Sequence, residues 1–281
     1  MHTGSALILR CAAAIREADA LLITAGAGIG VDSGLPDFRG TQGFWRAYPA
    51  LRRAKIAFES IASPAAFKAD PRLAWGFYGH RLALYRRTVP HPGFGILKTI
   101  GDSMPKGAFV FTSNVDGQFG KAGYADQRLC EIHGSIHYLQ CMQRCAEDIW
   151  SADDLNPEVD EQNCVLRSPL PGCPRCNGLA RPNILMFGDW GWVEARQRSQ
   201  YAALRAWLRQ VKRPVIVEIG AGMAIPAVRH FGEATRGVLI RINPTEADVA
   251  MGKGYGLRMG GLEGILRLRD ALGGLEQQCP R

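Results

Sequence analysis

Four short apolar runs, each followed by small or polar residues, constrain the fold of this 281-residue chain more than any other feature. They are ALLIT (20–24), AFVFT (108–112), VIVEI (215–219) and VLIRI (238–242). Short runs rich in Val, Ile and Leu that end in turn residues are typical of buried parallel strands joined through helices. In such sheets, ligands bind beyond the carboxyl ends of the strands. We therefore predict an α/β fold with a Rossmann-like parallel sheet, whose four turns face one crevice.

Two segments interrupt this alternation and predict a smaller second domain. Residues 45–91 look helical, whereas residues 140–177 are irregular, rich in proline and contain several cysteines. We expect the two segments to form a helical module and a zinc-ribbon module inserted beside the sheet. The Rossmann-like domain then comprises residues 1–44, 92–139 and 178–281.

The composition disfavours several classes of function. Hydrophobic residues make up 47% and charged residues 21% of the chain, as in ordinary globular proteins. No apolar run reaches the length of about 18 residues that a membrane-spanning helix needs. The amino-terminal segment carries charges at helical spacing and does not resemble a signal peptide, so we expect a cytoplasmic protein. The net charge is +8, and the basic residues are densest in short runs without interleaved aromatic residues. This pattern favours solvated helix faces over a nucleic-acid surface.

The cysteines predict a metal site. Four of the eight lie in two close pairs, Cys141 with Cys145 and Cys173 with Cys176. In a chain without an export signal, such pairs favour a metal over disulfides, and four thiolates suit a tetrahedral structural zinc. Cys164 is an alternative ligand. The remaining cysteines, Cys11, Cys130 and Cys279, are expected to be packing or tail residues.

The turn after the first strand, GAGIGVDSGLPDFRG (26–40), is the first candidate ligand site. Gly26 and Gly28 could cradle a pyrophosphate, but their spacing departs from G-x-G-x-x-G, and alone they fit a cofactor loop and a tight turn equally well. Asp37, Phe38 and Arg39 then place an acceptor, an aromatic ring and a bidentate phosphate donor in one short loop. This combination favours a cofactor site.

The order of the motifs resembles that of the sirtuins, the NAD-dependent protein deacylases, over nearly the whole chain. The first turn resembles the family's GAG-I-S-x-x-S-G-I-P-D-F-R loop, and TSNVDGQFGKAG (112–123) resembles T-Q-N-I-D-x-L-H-x-x-A-G. EIHGS (131–135) resembles the histidine motif, and RPNILMFGDW (181–190) resembles the substrate-binding strand R-P-x-V-V-x-F-G-E. VEIGAGMAI and IRINPTEAD stand where the family has G-T-S-L-x-V and I-N. The resemblance implies NAD and zinc as cofactors and an acylated protein lysine, bound in a cleft between the domains, as substrate.

The resemblance also implies roles for individual residues. His133 would activate a ribose hydroxyl, and Asn114 would bind the ribose or its attacking water. Asp116 would hold the nicotinamide carboxamide, Phe38 would shield the reacting sugar carbon, and Arg39 would contact phosphate. The residues implied to contact NAD are Ala25, Gly26, Ala27, Gly28, Asp37, Phe38, Arg39, Ser113, Asn114, Asp116, His133, Gly220, Ala221, Gly222 and Asn243.

Tyr78 and Arg81 suggest which acyl group is bound. They form a Y-x-x-R arrangement placed as in sirtuins that prefer acidic acyl groups. Because helix positions three apart share a face, the phenol and the guanidinium could together grip the distal carboxylate of succinyl- or malonyl-lysine. The alternative is that Tyr78 packs in the small domain while Arg81 pairs with a surface acid. The family's substrate-binding strand further implies that Met186, Phe187 and Gly188 contact the peptide.

Some positions depart from the family pattern. Ser113 replaces the usual glutamine, and Asp189 replaces a glutamate. Ala221 and Gly222 replace hydroxyl residues that would contact the adenosine half of NAD, which predicts a lower affinity for NAD. The altered TSNVDGQF loop keeps ADP-ribosyl transfer or NAD hydrolysis open as an alternative reaction. Because the catalytic motifs are retained, turnover is favoured over a catalytically silent NAD-binding or interaction module. The protein substrate and the oligomeric state stay open.

Overall fold

The computed structural model describes residues 2–36 and 40–276. The strands of this part of the chain are β1 (Ala20–Ala25), β2 (Ala108–Thr112), β3 (Leu129–Glu131), β4 (Gly134–Cys141), β5 (Ile149–Ser151), β6 (Val159–Asp160), β7 (Val165–Leu166), β8 (Ala180–Ile184), β9 (Pro214–Ile219), β10 (Val238–Ile242) and β11 (Gly254–Leu257). The α-helices are α1 (His2–Glu17), α2 (Gly40–Ala47), α3 (Pro49–Arg53), α4 (Phe58–Ile61), α5 (Pro64–Ala69), α6 (Pro71–Arg87), α7 (Pro92–Asp102), α8 (Gln118–Lys121), α9 (Ala195–Gln210), α10 (Ala227–Ala234) and α11 (Gly261–Glu276). Two 3-10 helices span Ala27–Ser33 and Asp126–Arg128.

A six-stranded sheet in the order β11-β10-β9-β1-β2-β3 forms the centre of the described structure. All of its neighbouring strands run parallel. The order reverses direction between β1 and β9, which is the arrangement of a Rossmann-like sheet and its ligand-binding switch point. The predicted α/β fold is therefore confirmed, and each of the four predicted strands is present.

Helices cover both faces of this sheet and bury its apolar side chains. On one face, α1, α7 and α11 pack through residues such as Ile15, Phe94 and Ile265. On the other face, α9 and α10 pack through Leu204 and Val228. Burying an aliphatic or aromatic side chain of this kind contributes roughly 1.5–3 kcal/mol. No helix within 2–36 and 40–276 is long and apolar enough to cross a membrane.

A second hydrophobic core lies beside the sheet. It joins helices α2 to α6 with the antiparallel sheet β5-β4-β8 and the β6-β7 hairpin. Helix α6 begins after Asp70, whose carboxylate accepts the N–H of Leu73 at 3.0 Å, with Pro71 in its first turn. Gly76 of α6 lets the hairpin approach closely, because a Cβ at that position would lie 2.0 Å from the carbonyl oxygen of Cys164. The boundaries proposed for the two domains stay a prediction. Strand β4 crosses the one between residues 139 and 140, and it pairs with β8.

The predicted packing cysteines lie where helices meet the sheet. Cys11 is buried in the core on the α1 face, and Cys130 of β3 is buried on the opposite face. Burial raises the pKa of each thiol to about 12, so both are neutral at physiological pH. Cys279 lies outside the described residues.

Candidate active site

Two glycine-containing loops meet at the switch point between β1 and β9. The N–H of Gly28 donates to the carbonyl of Gly220 at 3.1 Å, and the N–H of Gly26 donates to that of Ile219 at 3.0 Å. A Cβ on Gly220, whose φ is +61°, would lie 2.4 Å from Cα of Gly28. A Cβ on Gly26 would lie 2.7 Å from the carbonyl oxygen of Gly220. Glycine at these positions therefore lets the two loop backbones touch each other.

A cavity of about 580 Å³ opens at these loops. Its wall is built from the ends of β1, β2 and β9, from α6, and from the segment that follows β8. The predicted site residues in this wall are Gly26, Ala27, Tyr78, Arg81, Ser113, Asn114, Asp116, His133, Met186, Phe187, Gly220, Ala221 and Gly222. The topology thus brings residues from distant parts of the chain to one place.

Other predicted residues shape the loops around the cavity. Ala25 accepts a hydrogen bond from the Thr112 hydroxyl at 2.8 Å. Asn243 is buried, and its amide donates to the Ala221 carbonyl at 3.0 Å, so it ties the β9 loop to the β10 loop. Gly28 forms the contact with Gly220 described above, and Gly188 has a φ of +64° in the loop after β8. Their contact with a cofactor or peptide stays a prediction.

Asp37, Phe38 and Arg39 lie outside the described residues. The roles that the sequence predicts for this acceptor, ring and phosphate donor therefore stay predictions.

Asn114 and Asp116 follow β2 at the floor of the cavity. The Asn114 amide donates to the Gly26 carbonyl at 3.2 Å, and its backbone N–H donates to the Thr112 hydroxyl at 3.0 Å. The Asp116 carboxylate accepts the backbone N–H of Gln118 at 3.0 Å. Burial raises the pKa of Asp116 from 3.8 to about 6. The carboxylate is therefore charged at neutral pH but close to titration just below it.

His133 stands between β3 and β4, held by the strands on either side. The backbone N–H of Leu185 donates to its carbonyl at 2.9 Å. The next residue, Gly134, has a φ of +79°, and a Cβ there would lie 2.1 Å from the carbonyl oxygen of Asn183. Burial lowers the pKa of the His133 imidazole below 6.5, and a hydrogen bond to the Ser113 backbone offsets part of this shift. The imidazole is therefore neutral at pH 7 and able to accept a proton.

Tyr78 and Arg81 share one face of α6, as their spacing predicts, and both lie in the cavity wall. Arg81 is buried, and its Nε and Nη2 atoms donate to the Tyr85 hydroxyl at 2.9 and 2.7 Å. Tyr78 also packs within the second core, where its ring stacks on Phe67 at 5.6 Å. Burial raises the pKa of Tyr78 to about 12, so its phenol keeps its hydrogen. This end of the cavity therefore presents one cation beside neutral hydroxyl groups.

The two predicted cysteine pairs come together. The Sγ atoms of Cys141 and Cys176 are 3.6 Å apart, as are those of Cys145 and Cys173, and all four lie within 4.8 Å of one another. Sulfur ligands about 2.3 Å from a tetrahedral zinc are separated by about 3.8 Å, so the cluster fits this ion. Cys164 is buried in the second core and is not a member of the cluster. With four protein ligands, the ion would have no open position for chemistry.

Two features of the site were not predicted from the sequence. One is Tyr85, which its i+4 spacing from Arg81 could have indicated. The other is the partner of Asp189, noted in the sequence only as a replacement for glutamate. Arg181 donates to its two carboxylate oxygens at 2.7 and 2.9 Å, and both side chains are buried. Asp189 also accepts the N–H of Met186, so it fixes the loop that the sequence predicts to bind the peptide.

The sheet order, the cavity at the switch point and the four-cysteine cluster define a Rossmann-like protein with a module that fits a structural metal. Residues 26–205 match the Sir2 family, and the chain belongs to this family. It is 32% identical over 221 residues to an NAD-dependent protein deacylase from Pyrococcus furiosus, which covers 78% of this chain and 79% of the relative. It is 33% identical over 188 residues to the NAD-dependent protein deacylase sirtuin-5, mitochondrial, from Danio rerio, covering 62% of this chain and 58% of the relative. Its fold is similar to that of a Sir2 homologue–NAD complex, with a TM-score of 0.71, 22% identity, and coverage of 95% of this chain and 94% of the other.

Proposed function

We propose that this chain is an NAD-dependent protein-lysine deacylase that removes succinyl and malonyl groups in preference to acetyl groups. The observation that carries the proposal is that Tyr78 and Arg81 line the same cavity as Asn114, Asp116 and His133. The relatives from P. furiosus and D. rerio are both named NAD-dependent protein deacylases, which supports the reaction. The sirtuin-5 relative supports the acidic acyl preference at modest identity.

The residues around the glycine loops fit NAD. Gly26 and Gly220 let the two loops close on each other at the carboxyl ends of β1 and β9, and both line the cavity, which is where a dinucleotide binds in sheets of this kind. Asn114 would orient the ribose, and Asp116 would accept hydrogen bonds from the nicotinamide carboxamide. Bound NAD supplies the sugar carbon that takes up the acyl oxygen as nicotinamide leaves.

His133 would then accept a proton from a ribose hydroxyl. Its imidazole is neutral at pH 7 because burial lowers its pKa, so it can act as the base without prior deprotonation. The backbone contacts of Leu185 and Gly134 hold the ring's attachment point in place. A rigidly positioned base accelerates such proton transfers by about 10²–10⁴-fold.

Arg81 would bind the far end of the acyl group. A guanidinium attracts a carboxylate strongly in a buried cavity, whereas an acetyl group offers it nothing to bind. A succinyl or malonyl chain would therefore compensate for the cost of burying Arg81, and this difference in binding would set the preference.

The test uses zinc-loaded protein, NAD, and acetyl- and succinyl-lysine peptides of one sequence, with peptide, nicotinamide and acyl-ADP-ribose followed by mass spectrometry. We expect faster loss of the succinyl group, and we expect Arg81→Met to abolish this bias. Arg87→Met, at the exposed end of the same helix, is the matched control. His133→Ala should prevent turnover of both peptides.

Other products would contradict the proposal. Nicotinamide without any deacylated peptide would indicate ADP-ribosyl transfer or NAD hydrolysis instead. No nicotinamide with either peptide would indicate a catalytically silent NAD-binding module. Equal rates for the two peptides would leave a deacylase but remove the acidic preference.

A further inference from the structure

We propose that Tyr85 is a third specificity-determining residue of the acyl pocket, whose hydroxyl donates a hydrogen bond to the distal carboxylate of the substrate. It would act beside Tyr78 and Arg81, so this inference rests on the proposed function. The Y-x-x-R arrangement does not include it, since it lies one helical turn beyond Arg81 on α6.

The hydrogen bonds at Tyr85 leave one direction for a ligand. Its side chain is 4% exposed, yet it lines the cavity. A phenol has two acceptor positions and one donor hydrogen. Its oxygen accepts hydrogen bonds from both Nε–H and Nη2–H of Arg81, at 2.9 and 2.7 Å, so the guanidinium lies on its acceptor side. The donor hydrogen has no acceptor within the described ranges, and a carboxylate entering the cavity would supply one.

The backbone of α6 holds Tyr85 in this position. Its carbonyl accepts hydrogen bonds from the Gln118 amide at 3.2 Å and the Lys121 ammonium at 3.4 Å. These contacts tie the end of α6 to the loop that carries Asp116. The hydroxyl is therefore fixed relative to both the guanidinium and the cavity floor, which is what selective recognition requires.

The side chains of Tyr78, Arg81 and Tyr85 together favour an anionic ligand. Arg81 offers only donors, and burial raises the pKa of both Tyr78 and Tyr85, so the two phenols stay protonated and can donate. Two N–H groups of a cation donating to the Tyr85 oxygen polarise its O–H bond and make it a stronger donor. A buried carboxylate needs several such donors to replace its water. The negative charge of Asp116 also acts on Tyr85. Because this charge would repel a substrate carboxylate, the donors of Tyr78, Arg81 and Tyr85 are needed all the more.

The test compares Tyr85→Phe with wild type on succinyl- and acetyl-lysine peptides of one sequence, at saturating NAD. The substitution keeps the ring and removes only the hydroxyl. We expect the ratio of kcat/KM for succinyl over acetyl peptide to fall about tenfold, with the loss in KM of the succinyl peptide, since a hydrogen bond to a charged group is removed. Tyr124→Phe is the matched control, because that buried hydroxyl donates to the Phe94 carbonyl at 3.0 Å outside the cavity wall.

The outcomes separate this inference from the proposed function. If wild type prefers the succinyl peptide and Tyr85→Phe keeps the wild-type ratio, the role of Tyr85 is refuted while the acyl preference stands. If Tyr85→Phe lowers both activities equally and its melting temperature falls as in Tyr124→Phe, the hydroxyl is structural and the inference is wrong. If wild type shows no succinyl preference, the acyl preference and the inference fall together.

Discussion

Asp116 lies in the cavity wall, where its charge costs stability. Its pKa is about 6 in the folded protein against 3.8 as the ordinary value, so the folded state binds the proton more tightly. Protonated Asp116 therefore favours the folded state, and the contribution of this group to stability is lost as the pH rises from about 3.8 to about 6. Above about pH 6 the buried carboxylate carries the full penalty, which is at most about 3 kcal/mol for a shift of this size.

Asp116→Asn should therefore stabilise the protein while removing its activity. Asparagine keeps an oxygen to accept the Gln118 N–H but has no charge to bury. We expect the free energy of unfolding to rise by up to about 3 kcal/mol at pH 7.5, with the gain shrinking as pH falls toward 4. Urea denaturation across this range measures it, with exposed Asp154→Asn as the control. A gain that is the same at all pH values would show that the charge is not its cause.

Single residues of the site differ in how far the sequence reveals them. His133 and Asn114 stand in short motifs that resemble those of a known family, so the resemblance could assign both to one site. Tyr85 is different, because its function depends on which side of α6 faces the cavity. The helical period places Tyr85 one turn beyond Arg81, but only the packing of α6 in the second core decides that both side chains face the cavity.

At the scale of elements, the two glycine loops act as one unit. Gly220→Ala should separate them, because a Cβ at this position would meet the backbone of Gly28 at 2.4 Å and the φ of +61° disfavours alanine. We expect a loss of about 2 kcal/mol or more in the free energy of unfolding. Gly222→Ala, in the same loop, is the control, since its Cβ would meet nothing closer than 3.7 Å. Equal stability of the two variants would contradict the predicted clash.

The strands show where sequence patterns stop being informative. Apolar runs predicted β9 and β10 because burial dominates their composition. Each run nevertheless contains a charged residue, and the register places Glu218 opposite Arg241. Both are buried, and Arg241 also bonds Glu233 of α10 at 2.7 Å. Such a pair forms across strands that are distant in sequence, so local periodicity cannot reveal it.

Over the whole molecule, the metal cluster and the active site occupy opposite ends of the same two strands. β4 begins directly after His133 and ends at Cys141. β8 begins shortly after Cys176 and leads into the loop that contains Phe187. An ion held by the four thiolates would therefore fix the far ends of the strands that carry the base and the peptide loop. The sequence predicted the ligands from their spacing, but this coupling depends on the β4–β8 pairing.

Removing the metal should consequently destabilise the strands β4 and β8 and leave the parallel sheet unchanged. We expect a chelator to lower amide-exchange protection in β4 and β8 and to reduce deacylation, while β1, β2 and β9 stay protected, because the parallel sheet has its own cores. Hydrogen exchange followed by mass spectrometry, with zinc content measured in parallel, tests this. Cys145→Ser should reproduce the effect of the chelator, whereas Cys164→Ala, buried away from the cluster, should retain zinc. Loss of protection in β1 as well would show that the metal supports the whole fold, and unchanged protection in β4 and β8 would show that it supports neither strand.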